Sequence, residues 1–196
     1  MEFTLLTERL ILRRLIQDDF ADLYDMFHDS DVMYAWEHTF DEMQVQEWID
    51  CQFGRYEQTG VGVFVAIEKE TSKIVGQFGL VWEDIEGEKV LELVYMLKKD
   101  YFGKGFAVEG SKTCLDYAFN EMGVDKIYAP IRPENQSSRK VAEKLGFNVR
   151  GEYVKHYNGK DMSHLIYVLD KTLVPWIVCT RQLQFVNIKN YLSRKL

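Results

Sequence analysis

The sequence predicts an α/β domain built around one mixed sheet, and three patterns carry that expectation. β-branched runs at 61–68, 74–81 and 90–97 follow one another across polar or glycine-containing turns, as consecutive antiparallel strands do. Between 106 and 170, segments of helical period alternate with short strands, which brings a crossover connection and a parallel pairing. Composition agrees: 46% hydrophobic and 14% aromatic residues with only 3 prolines make a folding chain, and 196 residues bury roughly 70% of their unfolded surface without staples. Disordered, collagen-like and disulfide-held mini-protein classes are excluded.

The elements follow in order. Residues 9–15 alternate Leu10 and Leu12 with Arg9 and Arg13, a strand with one wet face. Asp18 or Asp19 caps a first helix whose Phe20, Leu23, Tyr24 and Phe27 form one buried stripe. A loop with Met33, Tyr34, Trp36 and His38 leads to a second helix over 41–57. The polar stretch 69–73 turns the first hairpin, and 84–88 with Gly87 turns the next. A glycine-containing loop at 98–105 opens a helix to Asn120 that Gly123 stops. A strand over 126–131, a helix over 137–145 ended by Gly146, and strands over 147–154 and 164–169 follow, the last two joined by an Asn158-Gly159 hairpin turn. This makes about seven strands, mostly antiparallel, flanked by helices, over residues 1–170. Residues 171–196 mix Trp176, Phe185 and Tyr191 with Arg181, Lys189 and Arg194, and read as an extension docked on the domain or on a second subunit of a homodimer.

Several function classes drop out. The longest apolar runs, 61–67 and 173–179, are far short of the ~20 residues that cross a bilayer, and the N-terminus lacks the basic and apolar regions of a secretory signal, so a cytoplasmic protein without membrane contact is expected. Cys51, Cys114 and Cys179 form no CxxC pair and read as reduced thiols; four scattered histidines give no zinc spacing, so no metal is assigned. The net charge of −7 is uneven, because residues 1–50 hold thirteen acids against three arginines. That asymmetry argues against nucleic acid and suggests a cationic substrate near the acidic part, with an anionic ligand held further along; an outward, solvated helix face is the alternative.

The most specific stretch is 91–107 (LELVYMLKKDYFGKGFA), a strand running into a Gly-x-Gly turn and straight into a helix. Gly103 and Gly105 let the backbone approach a phosphate, and the first helical N–H groups add partial positive charge. Val108 stands where a dinucleotide fingerprint needs its third glycine, and no Ser or Thr follows Gly103-Lys104, so Rossmann and Walker readings both fail.

Four segments together resemble the GNAT acetyltransferases, in their RimJ/RimL-type ribosomal-protein branch: 6–14 (LTERLILRR) followed by Asp18-Asp19, the strand and turn at 92–107, 135–147 (NQSSRKVAEKLGF), and the closing hairpin at 158–170. The resemblance implies acetyl-CoA as cosubstrate and acetyl transfer to a primary amine, either a protein N-terminus or a small amine such as a polyamine, an amino sugar or an antibiotic. It implies that the backbone of Phe102, Gly103, Lys104, Gly105, Phe106 and Ala107 holds the pyrophosphate, that Met96 and Leu97 on a splayed strand pair with the pantetheine arm, and that Asn135 reaches that arm. Lys104 and Arg139 are expected to meet CoA phosphates. Glu92 is the candidate base, with a structural bond to backbone or arginine as its other reading. The family's usual tyrosine acid falls at Ala142, so it is missing; Ser138 replaces it near the sulfur or else caps the helix there. Tyr34, Trp36, His38 and Trp82 are expected along the acceptor pocket, with ordinary core packing as the other reading of each, and His156, Tyr157 and Asp161 as its other rim. A non-catalytic acyl-CoA-binding module is the competing function, and the missing tyrosine is its one support.

Overall fold

A computed structural model of the chain describes residues 3–174. Its strands are β1 (Thr4–Leu6), β2 (Leu10–Arg14), β3 (Val63–Glu68), β4 (Ile74–Ile85), β5 (Glu88–Leu97), β6 (Lys126–Ile131), β7 (Asn148–Tyr157) and β8 (Lys160–Asp170). The helices are α1 (Phe20–His28), α2 (Ser30–Met33), α3 (Glu42–Thr59), α4 (Phe106–Asn120) and α5 (Gln136–Leu145). Among the described residues the strands form one sheet in the order β1-β2-β3-β4-β5-β6-β8-β7. Every pairing is antiparallel except β5 with β6, which the crossover helix α4 connects.

Local chemistry sets these elements. Asp41 and Gln44 form a reciprocal capping box at the start of α3, and Gly60 ends that helix in the left-handed conformation. Asn158 and Gly159 both have positive φ, as a two-residue turn between β7 and β8 requires. Glu86 and Gly87 make the same kind of turn between β4 and β5, where Ile85 pairs with Glu88, so this hairpin is tighter than the sequence suggests. Helix α4 lies close on the sheet: a Cβ at Gly110 would stand 2.6 Å from the Phe78 ring. Its Phe106, Cys114, Leu115, Ala118 and Phe119 are buried in the core.

Three expectations are corrected. Among the described residues there are eight strands and not about seven, because Thr4–Leu6 is too short for an alternation to register. Strand β2 has no wet face in its first half, since Ile11 is buried along with Leu10 and Leu12. Several acids of the first quarter are paired or cap helices: Asp19 is buried with Arg13 at 2.6 Å, Asp22 and Asp31 pair with Lys98 and Lys99 at 2.5 Å, and Asp29 caps α2. The expected docking of the C-terminal extension falls on 175–196, outside the described residues; Lys171 is anchored through its N–H to Asp125 and its ammonium to Phe119.

Candidate active site

The parallel pair that interrupts the antiparallel sheet makes the site. Strands β5 and β6 are in register only at Glu92 and Tyr128, and from there they part. Two cavities fill the wedge, one of about 360 Å³ on the glycine-turn side and one of about 160 Å³ on the side of the β7–β8 hairpin. Both are lined by Ala35, Trp36, Tyr95, Met96, Asn135 and Ser138, so they are two halves of one cleft.

The larger half is built for an anion and an extended arm. Gly103 and Gly105 have φ of 73° and 85°. A Cβ at Gly103 would meet nothing within 4 Å, and one at Gly105 only the Arg9 guanidinium at 3.5 Å. The turn is thus glycine for its conformation and for the open space above it. With glycine as N-cap, no side chain caps the first turn of α4, so its N–H groups stay available to a phosphate. Arg9 fixes this loop: Nη1 donates to the Lys104 carbonyl at 3.0 Å, Nε donates to Glu109 at 2.7 Å, and the guanidinium lies 4.2 Å over the Phe106 ring. Sequence reading missed Arg9 in this role. Met96, Leu97, Phe102, Gly103 and Ala107 line the groove as expected. The free edge of β5 beyond Glu92 suits an amide-bearing arm, which can hydrogen-bond as an added strand would.

The two expected cations do not line the groove. The Arg139 guanidinium turns away from the groove, to the Tyr167 hydroxyl at 3.1 Å and the Pro133 carbonyl at 3.0 Å. The Lys104 ammonium lies 5.1 Å from the Tyr101 ring, outside the groove lining. Lys140 and Lys144 line the groove instead, on the α5 face shared with Ser137 and Val141. Asn135 caps α5, its Oδ1 accepting from the Ser138 N–H at 3.0 Å and from the Tyr34 hydroxyl at 2.5 Å. Its amide nitrogen has no partner among the described residues, and the residue lines both halves of the cleft. Since Asn135 is the cap, Ser138 is not; its hydroxyl has no protein partner among the described residues and lies where the two halves meet.

The smaller half holds Glu92. Burial pushes its carboxyl up to about 7, with Lys155 lowering it, Glu83 raising it and Arg55 lowering it further. Glu92 makes no hydrogen bond or ion pair among the described residues, so the structural alternative for it has no partner here. Facing it from the hairpin are Tyr153, Lys155, Tyr157, Met162 and His164, which the register of β7 and β8 sets on one face. Burial of the Tyr153 phenol, with the carboxylates of Glu92, Glu83 and Glu86, pushes it up to about 12. Burial lowers His164 below its usual range, while its Nδ1 lies 2.9 Å from the Met162 carbonyl. Tyr95, also missed, ties the two sides together by donating to the Ser138 carbonyl at 2.8 Å.

Of the expected acceptor residues, Trp36 lines both halves and packs edge-on against Tyr157 at 5.4 Å. Tyr34 stands on the glycine-turn side, against Asn135. His38 sits behind the wall, its Nε2 3.4 Å from the Tyr157 hydroxyl. Trp82 is not brought to the site: it pairs with Leu91, one residue out of phase with Glu92, and carries the Lys89 ammonium at 5.4 Å. His156 and Asp161 bond each other at 2.9 Å on the exposed face of the hairpin. No group of three or more His, Cys, Asp or Glu among the described residues can hold a metal ion, and no described helix is long and apolar enough to cross a membrane.

A family model described as an acetyltransferase (GNAT) domain matches residues 9–148, which include the glycine turn, Glu92 and the Asn135 cap. An uncharacterized protein of Bacillus subtilis, YkkB, is 37% identical over 145 residues, covering 74% of this chain and 84% of that protein. An uncharacterized N-acetyltransferase of Bacillus licheniformis, p20, is 31% identical over 150 residues, covering 76% of this chain and 84% of that one. Mycobacterium smegmatis RimJ, solved in complex with CoA-disulfide, superposes with a TM-score of 0.73 at 22% identity, over 89% of this chain and 90% of that one. The open glycine turn, uncapped helix and splayed edge fit the acetyl-CoA that this family uses. The chain belongs to the GNAT family of acetyltransferases and is an N-acetyltransferase.

Proposed function

We propose that the enzyme acetylates a primary amine seated beside Glu92, by direct transfer while acetyl-CoA and amine are bound together. The observation that carries this is the end of β5–β6 pairing at Glu92, which sets a carboxyl with a pKa of about 7 in the smaller half of the cleft, beside the wall that both halves share. When bound, acetyl-CoA supplies the thioester carbonyl. Glu92 takes the proton from the incoming ammonium, directly or through a water, near the pH at which it is half ionised. As the nitrogen–carbon bond forms and the carbon–sulfur bond breaks, the nitrogen sheds its second proton and the departing sulfur gains one; the Ser138 hydroxyl relays it, giving its own proton to the sulfur and taking the nitrogen's. The first-turn N–H groups of α4, with Lys140 and Lys144, hold the phosphates, and Asn135 steadies the arm. We place the chain beside the RimJ/RimL-type branch on its four motifs, and in the cytoplasm, in keeping with free thiols at Cys51 and Cys114.

Free-thiol release from acetyl-CoA with a panel of amines, with the product identified by mass spectrometry, tests this reading. Amine-dependent release that Glu92→Gln suppresses supports it. Binding of CoA with no turnover on any amine contradicts it and favours the acyl-CoA-binding module.

A further inference from the structure

Resting on the transferase reading above, we infer that the acceptor is a small amine that also carries a carboxylate, with its amine at Glu92 and its carboxylate at Lys155. Two features of the smaller half of the cleft point there: its charges and its roof.

The cations around this half are occupied, with one exception. Arg132 is spent on Glu37 at 2.8 Å, on Glu134 and on the Ala35 carbonyl at 2.9 Å. Arg55 is spent on Glu83 at 2.5 Å, and Lys160 on Glu37 at 2.7 Å. Lys155 lines the cavity, lies near enough to Glu92 and His164 to influence both, and has no hydrogen bond or ion pair among the described residues. The cavity thus presents one carboxyl and one unspent ammonium, a pair complementary to a zwitterion. A polyamine would bring a further ammonium up against the unspent Lys155, where like charges repel. Burial, Lys155 and Arg132 lower His164 below its usual range, which favours its uncharged ring.

The roof limits size. Glu37, in the left-handed conformation at φ 61°, bridges Arg132 and Lys160, and so ties the loop after α2 to the tip of the β7–β8 hairpin. Trp36 closes on Tyr157 below that bridge. This half of the cleft offers about 160 Å³ under that roof, room for an amino acid beside Glu92.

The test uses the full-length enzyme with free α-amino acids, their carboxamides, spermidine, and a short peptide with a free amino terminus. Binding is read by calorimetry with CoA present, and kcat/KM by thiol release. The expected result is a preference of at least about tenfold for an amino acid over its own carboxamide in both readouts, as a charge-assisted contact gives. Lys155→Met abolishes that preference, read as the ratio of acid to carboxamide within the one variant so that any change at Glu92 cancels, and Lys155→Glu turns the preference toward spermidine. Lys155 is an exposed strand residue, so these variants are expected to fold. Equal use of acid and carboxamide, an unchanged ratio in Lys155→Met, or spermidine or the peptide as the best acceptor would overturn the inference and leave the transferase reading standing. If no probe releases thiol, the transferase reading fails, and the carboxylate preference is then decided by calorimetry alone.

Discussion

Glu92 faces Tyr128 across the one register pair that joins β5 to β6, and its carboxyl is held at about 7 by burial. A carboxyl raised from 4.5 to about 7 binds more protons folded than unfolded, so it costs stability as pH rises through that window and the full cost is present above it. Glu92→Gln is therefore expected to gain about 2 kcal/mol relative to the wild type between pH 5 and pH 8, allowing for partial exposure. Denaturant titrations of both proteins at the two pH values check this; a constant difference would mean that Glu92 is not shifted.

The glycine turn makes a separable prediction. A side chain at Gly103 meets no protein atom within 4 Å, so Gly103→Val costs only the strain of positive φ, about 1–2 kcal/mol, while filling the space above the turn. The variant should remain folded by circular dichroism and lose CoA binding by calorimetry. Arg9→Ala, which frees the Lys104 carbonyl, should weaken CoA binding by about tenfold without touching the ligand. Unchanged CoA affinity in folded Gly103→Val would remove the turn from the site.

Two acids of the first quarter should behave oppositely. Asp19 and Arg13 are nearly buried, with side chains 4% and 13% exposed, and Asp19→Asn should cost about 3 kcal/mol because it leaves a charge unpaired. Asp31 and Lys99 are well exposed, and Asp31→Asn should cost less than about 1 kcal/mol and leave kcat/KM within about twofold. A large loss of kcat/KM in Asp31→Asn, deepening at low salt, would instead support steering of a cationic acceptor.

Where local backbone geometry decides, the sequence was legible: the turns at Gly103–Gly105 and Asn158–Gly159, and the helix stop at Gly146, are written in residues that tolerate positive φ. Lys140 and Lys144 were passed over, although a signal was there: their spacing from Ser137 and Val141 marks one helix face, and Arg139 falls off it. Register hid the rest. Trp82 and Glu92 look like neighbours on adjacent strands until the pairing of Val81 with Glu92 puts Trp82 on the opposite face. Lys155 and His164 join the cavity only because a two-residue turn aligns Tyr157 with Lys160. Arg9 reaches Glu109 across 100 residues of chain, and its bond to the Lys104 carbonyl spans 95, distances that no local pattern encodes.

The most direct measurement is the pH dependence of kcat/KM for wild type and Glu92→Gln with one good acceptor. The account predicts a wild-type rate that rises with pH through about 7 as Glu92 loses its proton, and a Gln variant that is slower at neutral pH and lacks that limb. The same rising limb, with the same midpoint, in both proteins would contradict Glu92 as the base.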